Sequence, residues 1–404
     1  MTDQFQMTDQ IKIKVLFWPG WWYPDRFNPM NGIFIRRHAE AVAPLVDLAV
    51  LYVTADPGLS GHTYEIEVAS DQVGLTVRVY YRPLPVPVRP LRILNVWRYF
   101  RAARRGIREL RSRWGKPEIV HLHVNPPWGQ ILAQQFHFPR LPFIFTEHWS
   151  GYHPANGEYR GFFRRLLTSW VVAKAFAVTP VSRNLQEAME SHGLHGRFEV
   201  IPNAVRTDRF FPTQAPHSDL PFTFLHVSRL VPLKNVAGIL RATANLWQER
   251  QDFRLIVVGE GADRKSLERL ARDQLSAAEY VRFVGRKDEN ELAEIMRQAD
   301  CFVLFSDYEN LPCVISEAMA SGLPVIATRV GGIPEQVQPG MGILVESGNE
   351  DGLRKAMADA INGVLLFDLA KIRRFAESNY SFPEVGRRLF RLYQEVLQPR
   401  MRRL

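Results

Sequence analysis

The sequence predicts an α/β protein of two doubly wound domains facing across a cleft. Two observations carry this prediction. Short runs that are apolar on both faces, as buried strands of a parallel sheet are, alternate with stretches of helical period through both halves of the chain. The 404 residues are enough for two cores, and residues 209–221, with several prolines and no periodicity, read as the linker between them. The expected domains are therefore 11–208 and 222–383. Residues 1–10, where Met1-Thr2-Asp3-Gln4 repeats as Met7-Thr8-Asp9-Gln10, read as a disordered lead-in.

Composition narrows the class. Apolar content of 46% and charged content of 23% are ordinary for a globular protein. No run has the length to span a bilayer, and the first ten residues are polar rather than a signal peptide, so a cytoplasmic location is expected. The two cysteines, Cys301 and Cys313, sit in apolar context and read as core thiols in a reducing compartment.

The elements follow in order. A strand at 11–17 leads into a loop rich in Trp, Pro and Gly, then a helix at 33–43. Gly32, just before that helix, is either a turn glycine or a point where the backbone can approach a ligand. Strands follow at 48–53 and 75–81. Between Arg82 and Lys116 stand eleven basic residues and one acid, Glu109, a local excess larger than the net charge of +9 for the whole chain. Interleaved Leu91, Leu94, Trp97 and Phe100 make 91–114 either a basic amphipathic helix for an anionic membrane surface or a solvated helix packed on the sheet. No helix-turn-helix, zinc or RNA-binding signature accompanies it, so nucleic acid is not an expected partner. The strand at 119–124 carries His121 and His123, and the strand at 143–145 is followed by Thr146-Glu147-His148-Trp149. No carboxylate or Cys joins these histidines at ligand spacing, so no metal is expected. Ser182 caps a helix at 183–191.

In the second half, the strand at 222–227 runs directly into Ser228-Arg229-Leu230 and then Lys234-Asn235. A guanidinium fork beside a point charge suits a diphosphate. Gly259-Glu260-Gly261 lacks a third glycine at the dinucleotide spacing, which argues against a nicotinamide enzyme. A strand at 281–285 exits through Arg286-Lys287, a capped helix covers 288–298, and the buried strand 301–305 opens the stretch with the densest chemistry. Glu309 lies in the loop beyond that strand's carboxyl end, where open α/β sheets place ligands. The amides of Asn310 and Leu311 lie close to a helix start marked by Pro312, a position that favours an anion. Glu317, on that helix, can accept hydrogen bonds from neutral hydroxyls. Two carboxylates flanking an anion site match the layout of a nucleotide sugar. Gly322 closes the helix, a strand follows at 325–327, and Gly331-Gly332 precedes a further helix start.

These residues resemble the retaining glycosyltransferases of family 4, which have the GT-B fold. The family pattern of a Glu, seven residues, then Glu-Ala-Met-Ala with Gly and Pro-Val is met by Glu309, Glu317-Ala318-Met319-Ala320, Gly322 and Pro324-Val325. Gly-Arg-Leu followed by Lys is met by Arg229 and Lys234, with Ser228 in the glycine place. Ile201-Pro202-Asn203-Ala204-Val205 matches Val-Pro-Asn-Gly-Val, with Ala204 replacing Gly, and Asn310-Leu311-Pro312 replaces Gly-Phe-Gly. The resemblance implies that Glu309 contacts the donor sugar, Glu317 the ribose, and Arg229 and Lys234 the leaving diphosphate. It further implies that His148 faces the donor, that the nucleobase lies by Arg286, and that the Gly32 loop meets donor phosphate or acceptor. A terminal helix, 384–404, is expected to cross back to the first domain. The implied reaction is sugar transfer with retention, without metal or cofactor, to a glycan or lipid-linked acceptor in cell-surface polysaccharide synthesis. A lipid-carried acceptor would explain the basic stretch and place the protein at the inner face of the membrane. The alternatives are a GT-B sugar-nucleotide epimerase and a non-catalytic nucleotide-sugar-binding protein of the membrane surface.

Overall fold

A computed structural model describes residues 12–85, 93–154, 157–212, 221–363 and 367–401. The lead-in, residues 213–220 of the linker, Leu91 and Arg92 at the start of the basic stretch, and the last three residues lie outside the described residues.

In chain order the first domain comprises β1 (Lys14–Pro19), α1 (Ile33–Val42), β2 (Asp47–Ala55), β3 (Tyr64–Asp71), β4 (Gly74–Tyr81), α2 (Ile93–Arg113), β5 (Ile119–His123), α3 (Trp128–His137), β6 (Phe143–Glu147), α4 (Phe162–Lys174), β7 (Ala177–Pro180) and α5 (Arg183–Ser191). Its sheet has the order β3-β4-β2-β1-β5-β6-β7, parallel except for the β3–β4 pair at one edge. Side chains alternate along each strand. Leu16, Trp18, Leu122 and Phe145 therefore face a core shared with α2 to α5, while Val15, Phe17 and Ile144 face one shared with α1.

The second domain comprises β8 (Phe222–Val227), α6 (Val236–Trp247), β9 (Phe253–Val258), α7 (Arg264–Arg269), β10 (Val281–Gly285), α8 (Glu289–Arg297), β11 (Cys301–Leu304), α9 (Cys313–Ala320), β12 (Val325–Thr328), α10 (Ile333–Gln336), β13 (Gly342–Val345), α11 (Glu350–Ile361) and α12 (Leu369–Tyr380). Its sheet, β10-β9-β8-β11-β12-β13, is parallel throughout. Order reverses between β8 and β11, and ligands of open α/β sheets bind at such a point.

Helix α13 (Phe382–Met401) returns to the first domain, where Val385, Leu389, Leu392 and Tyr393 are buried beside α1. The chain crosses twice at one place: Val205 N donates to Tyr380 O at 2.7 Å, and Val205 bridges Ser381. Val205 and Phe210 are fully buried in the second domain's core, so the chain joins that domain a few residues before position 209.

Candidate active site

The site begins with β11, buried on both faces, which delivers the loop 305–312 to the end of the second sheet. Thr328 Oγ1, at the end of β12, donates to Ser306 O at 2.6 Å. Ser306 Oγ in turn donates to Glu309 Oε1 at 2.8 Å. The same carboxylate oxygen accepts from Lys234 Nζ. Lys234 comes from the short turn after β8, which ends where Asn235 takes a left-handed conformation (φ 45°) and caps α6 through its side chain. The side chains of Lys234 and Glu309 are 21% and 9% exposed, too little for water to screen the pair as it would at the surface. Glu309 Oε2 has no hydrogen-bond partner among the described residues.

Beside this pair, Ser228 is fixed by His226. His226 Nδ1 faces the Val303 carbonyl at 2.9 Å and therefore carries the proton, so Nε2 accepts from Ser228 Oγ at 2.7 Å. Arg229 is exposed and its guanidinium has no partner among the described residues; the same holds for Arg286 after β10. Gly331 and Gly332 lie directly beneath the Glu309 loop. A Cβ on Gly331 (φ +53°) would sit 1.6 Å from Glu309 O, and one on Gly332 2.0 Å from Asn310 O. Only glycine lets the two loops pack this closely.

The first domain closes the other side. Asn310 Nδ2 donates to His148 O at 3.0 Å, Ser182 Oγ donates to Asn310 Oδ1 at 3.2 Å, and Asn203 Nδ2 donates to Leu311 O at 3.1 Å. Leu311 itself packs into the first domain's core. The Glu335 carboxylate accepts from Arg183 N at 2.8 Å and Asn184 N at 2.7 Å, so a second-domain carboxylate satisfies the open amides at the start of α5.

Glu317 is engaged from across the cleft. Arg37 Nη1 donates to its Oε1 at 2.6 Å, and Arg37 Nη2 reaches Glu289 Oε1 at 3.0 Å. Burial opposes the Arg37 charge, but the Glu317 and Glu289 carboxylates outweigh it and raise its pKa above the ordinary value. Neither Arg37 nor Glu335 was marked by a local pattern: Arg37 stands 280 positions from Glu317.

His148 is buried, its ring 4.6 Å from Phe34 and 5.3 Å from His38 between centroids. His38, His123 and His148 come together, and burial lowers His38 to about 4 and the other two well below the usual imidazole value. His121 stands apart from them chemically, since Tyr393 OH at 2.7 Å and Thr146 Oγ1 at 2.6 Å occupy both its nitrogens. Gly32 (φ +59°) starts α1, and a Cβ there would lie 2.6 Å from the Trp22 carbonyl group, so its nearest contact is its own loop.

Two facing parallel-sheet domains with a returning C-terminal helix and a site at the loop between them define a protein of the GT-B fold. Two family models, described as "Glycosyltransferase Family 4" and "Glycosyl transferases group 1", match residues 34–209 and 208–377. Each half of the chain thus matches a glycosyltransferase family model. Over 229 residues it is 31% identical to a GDP-mannose-dependent monoacylated alpha-(1-6)-phosphatidylinositol monomannoside mannosyltransferase of Corynebacterium glutamicum, which covers 52% of this chain and 59% of that protein. Over 254 residues it is 36% identical to an N-acetyl-alpha-D-glucosaminyl L-malate synthase of Bacillus anthracis, which covers 58% and 63%. The chain thus spans about three fifths of the length of these relatives. The fold matches a sucrose-phosphate synthase from Thermosynechococcus elongatus at a TM-score of 0.71 and 20% identity, over 95% of this chain and 99% of that one. It matches HepE from Anabaena, solved in complex with UDP, at a TM-score of 0.69 and 17% identity, over 95% and 100%.

Proposed function

We propose that the protein moves a sugar, with retention, from a nucleoside diphosphate donor to a hydroxyl acceptor, and that the diphosphate needs no metal ion. The observation that carries this reading is the contact between Lys234 and Glu309, 75 positions apart in the chain. Lys234, Arg229 and the amides of Asn310 and Leu311 supply positive charge where the diphosphate departs, which stabilises the transition state more than the ground state. Glu309 Oε2 is placed to accept from a donor-sugar hydroxyl, its carboxylate already oriented by Ser306 and Lys234. Glu317 Oε2, left over by Arg37, is the oxygen we assign to the ribose. The departing phosphate takes the acceptor proton on the same face of the sugar, so no separate base is required.

The acceptor we assign is a glycan or a lipid-linked saccharide met at the cytoplasmic face of a membrane. Among the described residues no helix is long and apolar enough to cross a membrane. An anionic surface suits the outer face of α2 and α3. Arg101, Arg104, Arg105 and Arg108 are exposed there, with Ile93, Leu94 and Trp97 on α2 and Leu132 and Phe136 on α3. Phe100 and Phe136, 5.7 Å apart, join the two helices, and an open cavity of about 440 Å³ between α2 and the start of β3 is lined by His62, Thr63, Tyr64, Arg98, Arg101 and Arg105. The name of one relative given above, a phosphatidylinositol monomannoside mannosyltransferase, supports this class.

Release of nucleoside diphosphate from a panel of UDP, GDP and ADP sugars, in the presence of a chelator, tests the reading. Slow hydrolysis of one donor is expected, with a fall of about 10²–10³ in Lys234→Ala and Glu309→Ala. A folded Lys234→Ala protein with full activity would overturn the diphosphate assignment.

A further inference from the structure

We infer that the open cavity between α2 and the start of β3 binds a phosphate ester or diphosphate group. Arg98, Arg101 and Arg105 recur at the three- and four-residue spacing that stacks side chains along one face of a helix, and all three line the cavity. His62, Thr63 and Tyr64, where the chain enters β3, form the opposite wall. The two walls are tied together. Arg98 Nη1 donates to the Arg82 carbonyl at 2.6 Å, and Arg82 N donates to Thr63 O at 3.1 Å. The Arg105 guanidinium lies over the Tyr64 ring, 4.7 Å from its centroid.

The placement of the acids separates this cavity from an ordinary solvated face. Side chains alternate along β3, so Glu65 and Glu67 lie on the face away from Tyr64, where both pair with Arg26, at 2.7 and 3.4 Å. Glu109, the one acid of α2, is taken by Arg113. Among the described residues no carboxylate lines the cavity or pairs with its three arginines. Three guanidinium groups on one helix face repel one another, and a ligand with two or more negative charges relieves that repulsion. Phosphate oxygens also match the guanidinium fork. The position of the cavity gives the anion a role. Tyr64 pairs with Tyr81, the last residue of β4, and Tyr81 with Ala55, the last of β2. The cavity therefore stands at the carboxyl end of the parallel strands, the end where β6 delivers His148. Four strand spacings separate β4 from β6, about 19 Å. A ligand reaching from one to the other is longer than a single sugar ring, so the acceptor is a saccharide of several sugars with a phosphate group at its far end. That last step rests on the transfer reading; binding of the anion does not.

The test is a calorimetric titration of the full chain with inorganic pyrophosphate, which involves no sugar and so stands apart from the transfer reading. It is run in Arg229→Gln/Lys234→Ala, shown to be folded by circular dichroism, to remove the cations of the donor site. One equivalent is expected to bind, and adding Arg101→Gln and Arg105→Gln is expected to weaken binding at least about tenfold. Adding Arg104→Gln and Arg108→Gln instead removes the same charge outside the cavity and is expected to change the affinity little. No uptake, unchanged affinity without Arg101 and Arg105, or an equal loss in the two pairs would overturn the site. Two competitors then separate the sources of the phosphate: phosphatidic acid in phosphatidylcholine vesicles, and a soluble oligosaccharide 1-phosphate. Displacement by the saccharide at the lower phosphate concentration is expected if the group belongs to the acceptor. Displacement first by the vesicles would assign it to a bilayer headgroup and remove the acceptor step, and displacement by neither would overturn the assignment to a phosphate ester.

Discussion

Glu309 and Gly331 show how narrowly single residues define the site. Gly331→Ala places a methyl 1.6 Å from Glu309 O at a left-handed backbone, so the Glu309 loop must move. The expected cost is about 1–3 kcal/mol of stability together with at least a tenfold fall in kcat/KM, checked by thermal denaturation and donor turnover. Gly340→Ala is the control: its φ of +81° is also strained, but no atom lies within 4 Å of the new methyl, so turnover is expected to hold. His226 carries a pH prediction. Burial lowers its pKa to about 4, and the Lys234 charge adds to this against the Val303 hydrogen bond. A folded-state value below the unfolded 6.5 means that the unfolded chain binds the extra proton. Stability is therefore full above about pH 6.5 and falls as pH drops toward 4, by on the order of 3 kcal/mol from this group. In His226→Gln the acid limb of a denaturation-versus-pH curve is expected to be shallower by that amount; an identical limb would place the loss elsewhere.

At the scale of elements, α2 is the one whose use is open to direct measurement. It buries Tyr99, Ala102, Ala103, Gly106, Ile107 and Leu110, and exposes its arginines on the far side. Replacing Arg101, Arg104, Arg105 and Arg108 with Gln is expected to weaken co-sedimentation with anionic liposomes on the order of a hundredfold or more, at about 1 kcal/mol per charge near the surface. Unchanged sedimentation would make the helix a solvated face only. Most strands were legible because burial on both faces leaves an unbroken apolar run, as in β11 and β12. The edge strand β3 was not: its residues are mostly exposed, and only pairing with β4 makes it a strand. β13, at an edge of the second sheet, is apolar, but four residues are too few for the run alone to mark a strand. Helix α8 was legible at its start, where Asp288 and Glu291 form a reciprocal cap.

For the whole molecule, the relation between the domains rests on buried polar contacts. Arg37 holds Glu317 and Glu289 from the opposite domain, and Arg209 binds the second oxygen of Glu289 at 3.0 Å. Arg37→Met leaves Glu317 buried without its partner, and a loss of about 3–5 kcal/mol is expected in urea denaturation. Adding Glu317→Gln is expected to recover part of that loss, because a neutral amide is easier to bury than a lone carboxylate. No recovery would mean that Arg37 acts through packing and not through charge.

By itself the sequence determined the two α/β domains, the returning helix and the residues of the second-domain loops. Those features are written locally, in apolar runs, helix starts and charged residues at short spacing. Tertiary structure decided what those residues meet. Only folding brings Lys234 onto Glu309, Arg37 onto Glu317, Glu335 onto α5, and His38, His123 and His148 onto one another. The physical reason is range: periodicity and capping act over a few residues, whereas an ion pair or a cluster of imidazoles depends on how two sheets stack their helices and where the chain crosses between them.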